Sequence, residues 1–303
     1  MNINDLENIL KNNLKDRTNE FKRVFHGRGN FYEGFSFLTI DSIDKILFVT
    51  FFEEISQKLE SEILQCLDSL YNEFNFRCFI LQRRYLNGGE NEVLKGNLSN
   101  EVYAFENKLK YQLNFLNKNI GFFADMKKGR EFVLSNSKGK KVLNLFSYTC
   151  SFSVCALKGE AKEVVNVDMS KSSLNTGKIN HNLNNLDTKK VKFLPHNILK
   201  SWSKIRKLGP YDLIIIDPPS FQKGSFAASK DYEKIIKRLD EFANENCLVL
   251  SCLNAPELDT NFIKELFFSK APSFKYIRRI DNLQSFPSKD KDRALKIMLY
   301  QKA

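Results

Sequence analysis

The chain is poor in the residues that build metal and disulfide sites. It has three histidines, and its six cysteines, at 66, 78, 150, 155, 247 and 252, form no C-x-x-C pair. That spacing argues against a zinc site and reads as free thiols in a reducing, cytoplasmic compartment. No apolar run reaches membrane-spanning length. The polar start, with Asn2, Asn4, Asp5, Glu7 and Asn8, is not that of a signal peptide. No metal and no membrane is therefore expected. What the chain does hold is 42% hydrophobic residues in a length of 303, enough for a real core. It also carries 47 Lys+Arg against 36 Asp+Glu, a formal +11. Such an excess favours a polyanionic partner, with nucleic acid the first candidate and a small anionic substrate the other.

Patterning divides the chain. An N-terminal helix leads to a basic, glycine-containing loop, Lys22 to Gly29. Strands are expected at 35–40 and 46–52, joined as a hairpin, then a helix from Ile55 to Phe74 and a strand at 79–84. Three glycines and many polar residues make 87–100 a loop. Beyond about residue 105 short apolar strands and helices alternate. Strands read at 141–145, 164–167, 191–193, 213–216 and 248–251, and helices at 151–157, 171–184, 231–243 and 259–268. Two last strand-like runs, 276–280 and 295–300, form an antiparallel edge. The fold class is α/β: a doubly wound, mostly parallel seven-stranded sheet over 106–303, with a smaller α+β domain over 1–105.

Ligands of doubly wound sheets lie beyond the carboxyl ends of the central strands, and four strand ends carry informative residues. After the first comes Asn144-Leu145-Phe146-Ser147-Tyr148-Thr149-Cys150. Main-chain N–H groups at the following helix start can hold a carboxylate. The turn has no glycine, which argues against a dinucleotide pyrophosphate; an ordinary βα turn is the alternative. The second ends in Asp168-Met169-Ser170, where a carboxylate can accept from two ribose hydroxyls or simply cap a helix. After the third, Asn197 can meet an adenine edge or serve as a turn residue. The fourth, Ile214-Ile215-Ile216-Asp217-Pro218-Pro219-Ser220-Phe221, is the sharpest signal. Two prolines remove two N–H donors and fix an extended turn. Asp217 can accept from a base, and Phe221 offers a stacking face.

On these residues the run from Gly121 to Cys252 resembles class I methyltransferases of the bacterial large-subunit ribosomal RNA type, in particular the group with the cytosine-5 enzyme and the guanine-N7 domain. The matching positions are Asn144 to Thr149, Asp168 and Asp217 to Phe221. The Gly121–Met126 segment with Arg130 is similar to the family's cofactor-side segment. The resemblance implies a Rossmann-like methyltransferase fold, S-adenosyl-L-methionine as donor and RNA, ribosomal RNA above all, as substrate. It implies cofactor contacts from Phe123, Asp125, Arg130, Asn144, Phe146, Ser147, Tyr148, Thr149, Asp168, Met169, Asn197 and Asp217. Catalysis falls to Asp217, Pro218, Phe221 and Cys252. Departures are Cys150 where the family often has Gly and Asn197 where it often has Asp. Relatives of the cytosine-5 type begin with an RNA-binding PUA domain that this chain is too short to hold. Alternatives are a methyltransferase of small molecules or proteins, and a catalytically silent RNA-binding relative.

Cys252 ends the strand next to that of Asp217, where the cytosine-5 group has a cysteine. It is either a thiolate for addition to carbon 6 of a pyrimidine or a small buried hydrophobe. Lys22, Arg23, His26 and Arg28, with Arg83-Arg84-Tyr85, are candidate phosphate contacts, or a solvated charged face.

Overall fold

Leu6, Leu10 and Leu14 give Ile3–Leu14 (α1) one apolar face, and all three are buried. Asn2 starts the helix: its side chain accepts from the Asp5 N–H at 3.0 Å while the Asp5 carboxylate accepts from the Asn2 N–H at 2.9 Å. The computed structural model describes residues 1–222 and 224–303. A five-stranded sheet follows α1, made of Lys22–His26 (β1), Leu38–Ile43 (β2), Ile46–Phe51 (β3), Cys78–Arg83 (β4) and Asn91–Gly96 (β5) in that order. The helix Gln57–Glu73 (α2) links β3 to β4, the one parallel pair of this sheet. The hairpin Val102–Glu106 (β6) and Leu109–Leu113 (β7) joins the same unit. The Phe21 N–H donates to Phe105 O at 2.9 Å, and the Asn107 N–H to the Glu20 carboxylate at 2.7 Å. These bonds carry the unit past 105/106 to Ala124, and residues 283–290 fold with it.

Two parts of this unit differ from the sequence reading. Lys22–His26 is a strand and not a basic loop. Its charges hide the alternation because Arg23 is neutralised across the ladder by Asp41, at 2.6 Å. Asn91–Gly96 is also a strand where a loop was expected. It is an edge strand, so one flank faces solvent and polar residues are tolerated.

The second unit comprises residues 125–282 with 291–303. Lys127–Asn136 (α3) precedes the alternation Lys141–Leu145 (β8), Ser151–Lys158 (α4), Glu163–Asp168 (β9), Lys171–Leu183 (α5), Val191–Pro195 (β10), Trp202–Leu208 (α6) and Tyr211–Ile216 (β11). A short hairpin, Phe221–Gln222 (β12) and Phe226–Ala227 (β13), leads into Ala228–Ile236 (α7), Ala243–Leu253 (β14), Thr260–Lys270 (α8), Phe274–Ile280 (β15) and Lys296–Lys302 (β16). The strands order as β10-β9-β8-β11-β14-β16-β15. Only β16 is reversed, antiparallel to both neighbours. The seven-stranded, mostly parallel sheet is the fold the sequence implied. Val142, Leu143 and Leu145 of β8 and Leu213 to Ile216 of β11 are wholly buried, as strands covered on both faces require. Each such Leu or Ile contributes about 1.5–3 kcal/mol.

Sequence reading missed α6, a short helix between Asn197 and β11. It also ran the helix after Asp231 to Ala243, whereas α7 ends at Ile236 and β14 begins at Ala243. The reason is tertiary: the Tyr211 N–H donates to Phe242 O at 2.7 Å, drawing the chain into the sheet. The chain leaves β8 toward β9 and β10, then returns to β11 on the other side. That reversal opens the strand ends of β8 and β11 as the ligand-binding edge.

Candidate active site

After Leu145 the chain turns sharply. Phe146, Tyr148 and Cys150 take φ of 58°, 46° and 62°, the left-handed region, with ordinary residues between them. This alternation of hand folds the chain tightly back at the end of β8. Holding a non-glycine residue there costs roughly 1–3 kcal/mol. The turn is pinned by the Tyr148 N–H on Asp168 Oδ2 at 2.8 Å, the Ser147 N–H on Val167 O at 3.2 Å, and Asn180 Nδ2 on Thr149 O at 2.9 Å.

Asp168 ends β9. Its carboxylate accepts from the Tyr148 and Ser170 N–H groups, both at 2.8 Å. The cap of α5 is Ser170, whose Oγ accepts from the Ser173 N–H at 3.1 Å, so Asp168 is not needed as the cap. Burial raises its carboxyl above the ordinary range, against the two N–H groups that lower it.

Asn144 stands on β8 in register with Asn166 on β9. Asn144 Nδ2 donates to Asn166 Oδ1 at 2.8 Å, and Asn166 Nδ2 to Ser153 Oγ at 2.9 Å. Ser153 Oγ lies 2.9 Å from His181 Nε2, and His181 Nδ1 lies 2.7 Å from Gly177 O. Only one tautomer completes this chain: Nδ1–H donates to the carbonyl and Nε2 accepts from the serine. Burial keeps His181 neutral by lowering its pKa. With its amide fixed from behind, Asn144 leaves its buried Oδ1 with no donor among the described residues; Asn197 Oδ1, beyond β10, is buried in the same condition.

Asp217 ends β11. Burial and the nearby Asp125 carboxylate push its carboxyl up to about 7, opposed by the buried Arg130 guanidinium. Pro218 is buried and Phe221, at the start of β12, is 71% exposed. Ser220 fastens the turn: its Oγ donates to Asn254 O, beyond β14, and its carbonyl accepts from the Ala228 N–H at 3.0 Å. Cys252 lies on β14 opposite Ile297, wholly buried. Burial, then the Asp217 and Asp125 carboxylates, raise its thiol well above the usual value. None of these three influences favours a thiolate.

Asp125, Arg130, Asn144, Ser147, Tyr148, Asp168 and Asp217 thus belong to one unit, while Phe123, 46% exposed, belongs to the other. Met169 is exposed beside Asp168. Two of the expected phosphate contacts are otherwise engaged. Arg23 is held by Asp41, and Arg83 by Glu60 at 2.5 Å and Glu92 at 2.7 Å. His26 is half-buried and pushed down to about 3 by desolvation and by Arg23 and Arg28, so it carries no charge at neutral pH. Arg28 lies over the Phe52 ring. Among the described residues no cluster of His, Cys, Asp or Glu could hold a metal ion, and no helix is long and apolar enough to cross a membrane.

Residues 22–301 match the family model described as S-adenosylmethionine-dependent methyltransferase. The chain belongs to this family. It is 34% identical over 216 residues to ribosomal RNA large subunit methyltransferase I of Aeromonas salmonicida, covering 67% of this chain and 54% of that protein. To the enzyme of the same name from Photobacterium profundum it is 27% identical over 247 residues, covering 77% and 61%. The chain thus spans little more than half the length of the curated relatives it matches. The crystal structure of SMU.776 complexed with SAH superposes with a TM-score of 0.88 at 26% identity, covering 99% of this chain and 82% of that one.

The cofactor is S-adenosylmethionine, and the site fits it. Its α-carboxylate suits the buried Arg130 guanidinium, its hydroxyls and amino group suit Asp168 and the two bare amide oxygens, and its positive charges suit Asp125 and Asp217. Sequence reading missed Asn166, Ser153 and His181. The available signal was an asparagine inside each of two adjacent apolar strands, Val-Leu-Asn-Leu and Val-Val-Asn-Val.

Proposed function

We propose that this methyltransferase methylates a base of large-subunit ribosomal RNA. The observation that carries the reading is the Asp217–Phe221 turn: a carboxyl raised to about 7 at the end of a central strand, followed four residues on by an exposed aromatic ring. A ring so placed can stack a planar base, and a carboxyl poised near neutrality can accept its proton. The chain's +11 charge suits a phosphate backbone, and the relatives named for ribosomal RNA methylation agree.

The bound cofactor supplies an electrophilic methyl group. The protein's part is to hold the acceptor in line with it and to exclude water. In this reading Asp168 holds the ribose hydroxyls. The turn of Ser147, Tyr148 and Thr149 lines the place of the carboxylate, Arg130 neutralises it, and Asn197 accepts from the adenine amino group. Phe146 and Met169 give apolar cover, while Asn144 and Asp125 orient the amino-acid end. Pro218 keeps the turn extended so that its carbonyls face the acceptor. Asp217 accepts the proton the acceptor releases. Cys252 packs and takes no covalent part. The small unit contributes RNA contacts of its own.

The test is a gene deletion. Nucleosides from ribosomal RNA of the deletion strain and its parent are compared by mass. One methylated base missing from the large subunit, restored by the parental gene but not by Phe221→Ala, supports the proposal. Identical modification maps overturn it.

A further inference from the structure

Lys296, the first residue of β16, is wholly buried. Its ammonium donates to three main-chain carbonyls: Asp292 O at 2.7 Å, Ala294 O at 3.0 Å and Ala255 O at 3.1 Å. Three N–H bonds meet three acceptors, and among the described residues no carboxylate forms an ion pair with it. The Asp292 carboxylate is engaged by Thr260 Oγ1 and by Arg279 at 3.4 Å. A buried ammonium without a counter-ion is costly, and charge-assisted bonds to carbonyls are what offset it.

What those bonds join is informative. Ala255 is the second residue of the loop after β14, and the preceding carbonyl, that of Asn254, accepts from Ser220 Oγ of the Asp217–Phe221 turn. Asp292 and Ala294 lie in the segment before β16, which Arg279 also holds through Lys291 O at 2.6 Å and Leu295 O at 3.1 Å. We propose that Lys296 is a positioning residue for methyl transfer: by fixing Ala255 it sets the Asn254 carbonyl, which through Ser220 holds the turn that faces the acceptor base. The inference rests on the reading of that turn given above.

Burial and then Arg279 push the Lys296 amine down to about 8, against the pull of Asp292, Glu257 and Asp259. The neutral amine has two N–H bonds for three carbonyls, so one acceptor is left unmet above that pH. Turnover should therefore fall as pH rises through about 8.

The experiment compares Lys296→Met, Ser220→Ala, their double variant and Phe221→Ala in the full chain, on ribosomal RNA from the deletion strain. Cofactor affinity of Lys296→Met and Ser220→Ala should stay within about twofold of the parent, while kcat falls roughly tenfold or more. Lys296→Met should lose the alkaline limb, and the double variant should be no slower than the worse single one. If Phe221→Ala is slow but Lys296→Met and Ser220→Ala turn over at the parental rate, the clamp is wrong. Strictly multiplicative losses in the double variant would also overturn it. If Phe221→Ala itself is fully active, the reading of the turn has failed instead. Should Lys296→Met not fold, Ser220→Ala alone decides: a parental kcat and pH profile contradicts the proposal.

Discussion

The Cys150 thiol lies over Gly177. A Cβ on Gly177 would stand 2.5 Å from Cys150 Sγ and 3.0 Å from Cys150 Cβ. Cys150 itself sits at φ 62°, where glycine is the unstrained choice. The two positions therefore trade: a side chain at the turn requires none on α5.

Gly177→Ala should destabilise the protein by about 1–3 kcal/mol through overpacking. Cys150→Gly removes both the clash and the strained backbone, so adding Gly177→Ala to it should cost less than about 0.5 kcal/mol. Urea unfolding of the four proteins measures this. Additive costs would show that the thiol does not set the space above Gly177.

Asp217 makes stability depend on pH. Its folded pKa, about 7, lies above the ordinary carboxylate value. The folded state therefore prefers the proton, and that preference stabilises the protein fully in acid and is lost as pH rises through about 7. Asp217→Asn stays neutral throughout. It should melt higher than the parent at pH 8, by on the order of 1–3 kcal/mol, with the gap closing toward pH 4. A gap that widens in acid would reverse the assignment.

The parallel strands were legible because β8, β9, β11 and the second half of β14 are short, mainly apolar runs that a covered sheet buries. The Asp-Pro-Pro turn was legible because proline and charge are unusual at a buried strand's end. The shape of the β8 turn was not: Phe146, Tyr148 and Cys150 carry no sign of left-handed backbone, which tertiary bonds impose on them. The Asn144 to His181 chain needs a register that sequence does not state. Arg23 looked like a loop charge because its partner, Asp41, stands on another strand.

Asp168→Ala should weaken binding of S-adenosylmethionine and SAH alike by roughly 10–100-fold, since a buried pair of hydroxyls loses its acceptor. Isothermal calorimetry on folded protein tests it. The same variant also frees the Tyr148 N–H, so Asp168→Asn, which keeps one acceptor oxygen, should lose less. Unchanged affinity in Asp168→Ala would remove this residue from the cofactor site.

Cys252→Ser should keep at least half the parental turnover and lose about 1 kcal/mol of stability from altered packing, because burial and two carboxylates oppose a thiolate there. RNA containing 5-fluorocytosine should give no covalent adduct. An inactive Cys252→Ser protein, together with a trapped adduct in the parent, would restore the cysteine as nucleophile.

The most direct measurement is transfer itself. The purified chain is incubated with S-adenosylmethionine carrying a deuterated methyl group and with ribosomal RNA from the deletion strain, and the digested nucleosides are weighed. The account predicts one deuteromethylated base, in the large-subunit RNA, absent when Asp217→Ala replaces the parent. Cofactor bound with no label in RNA, or label in protein or a small molecule instead, would contradict it.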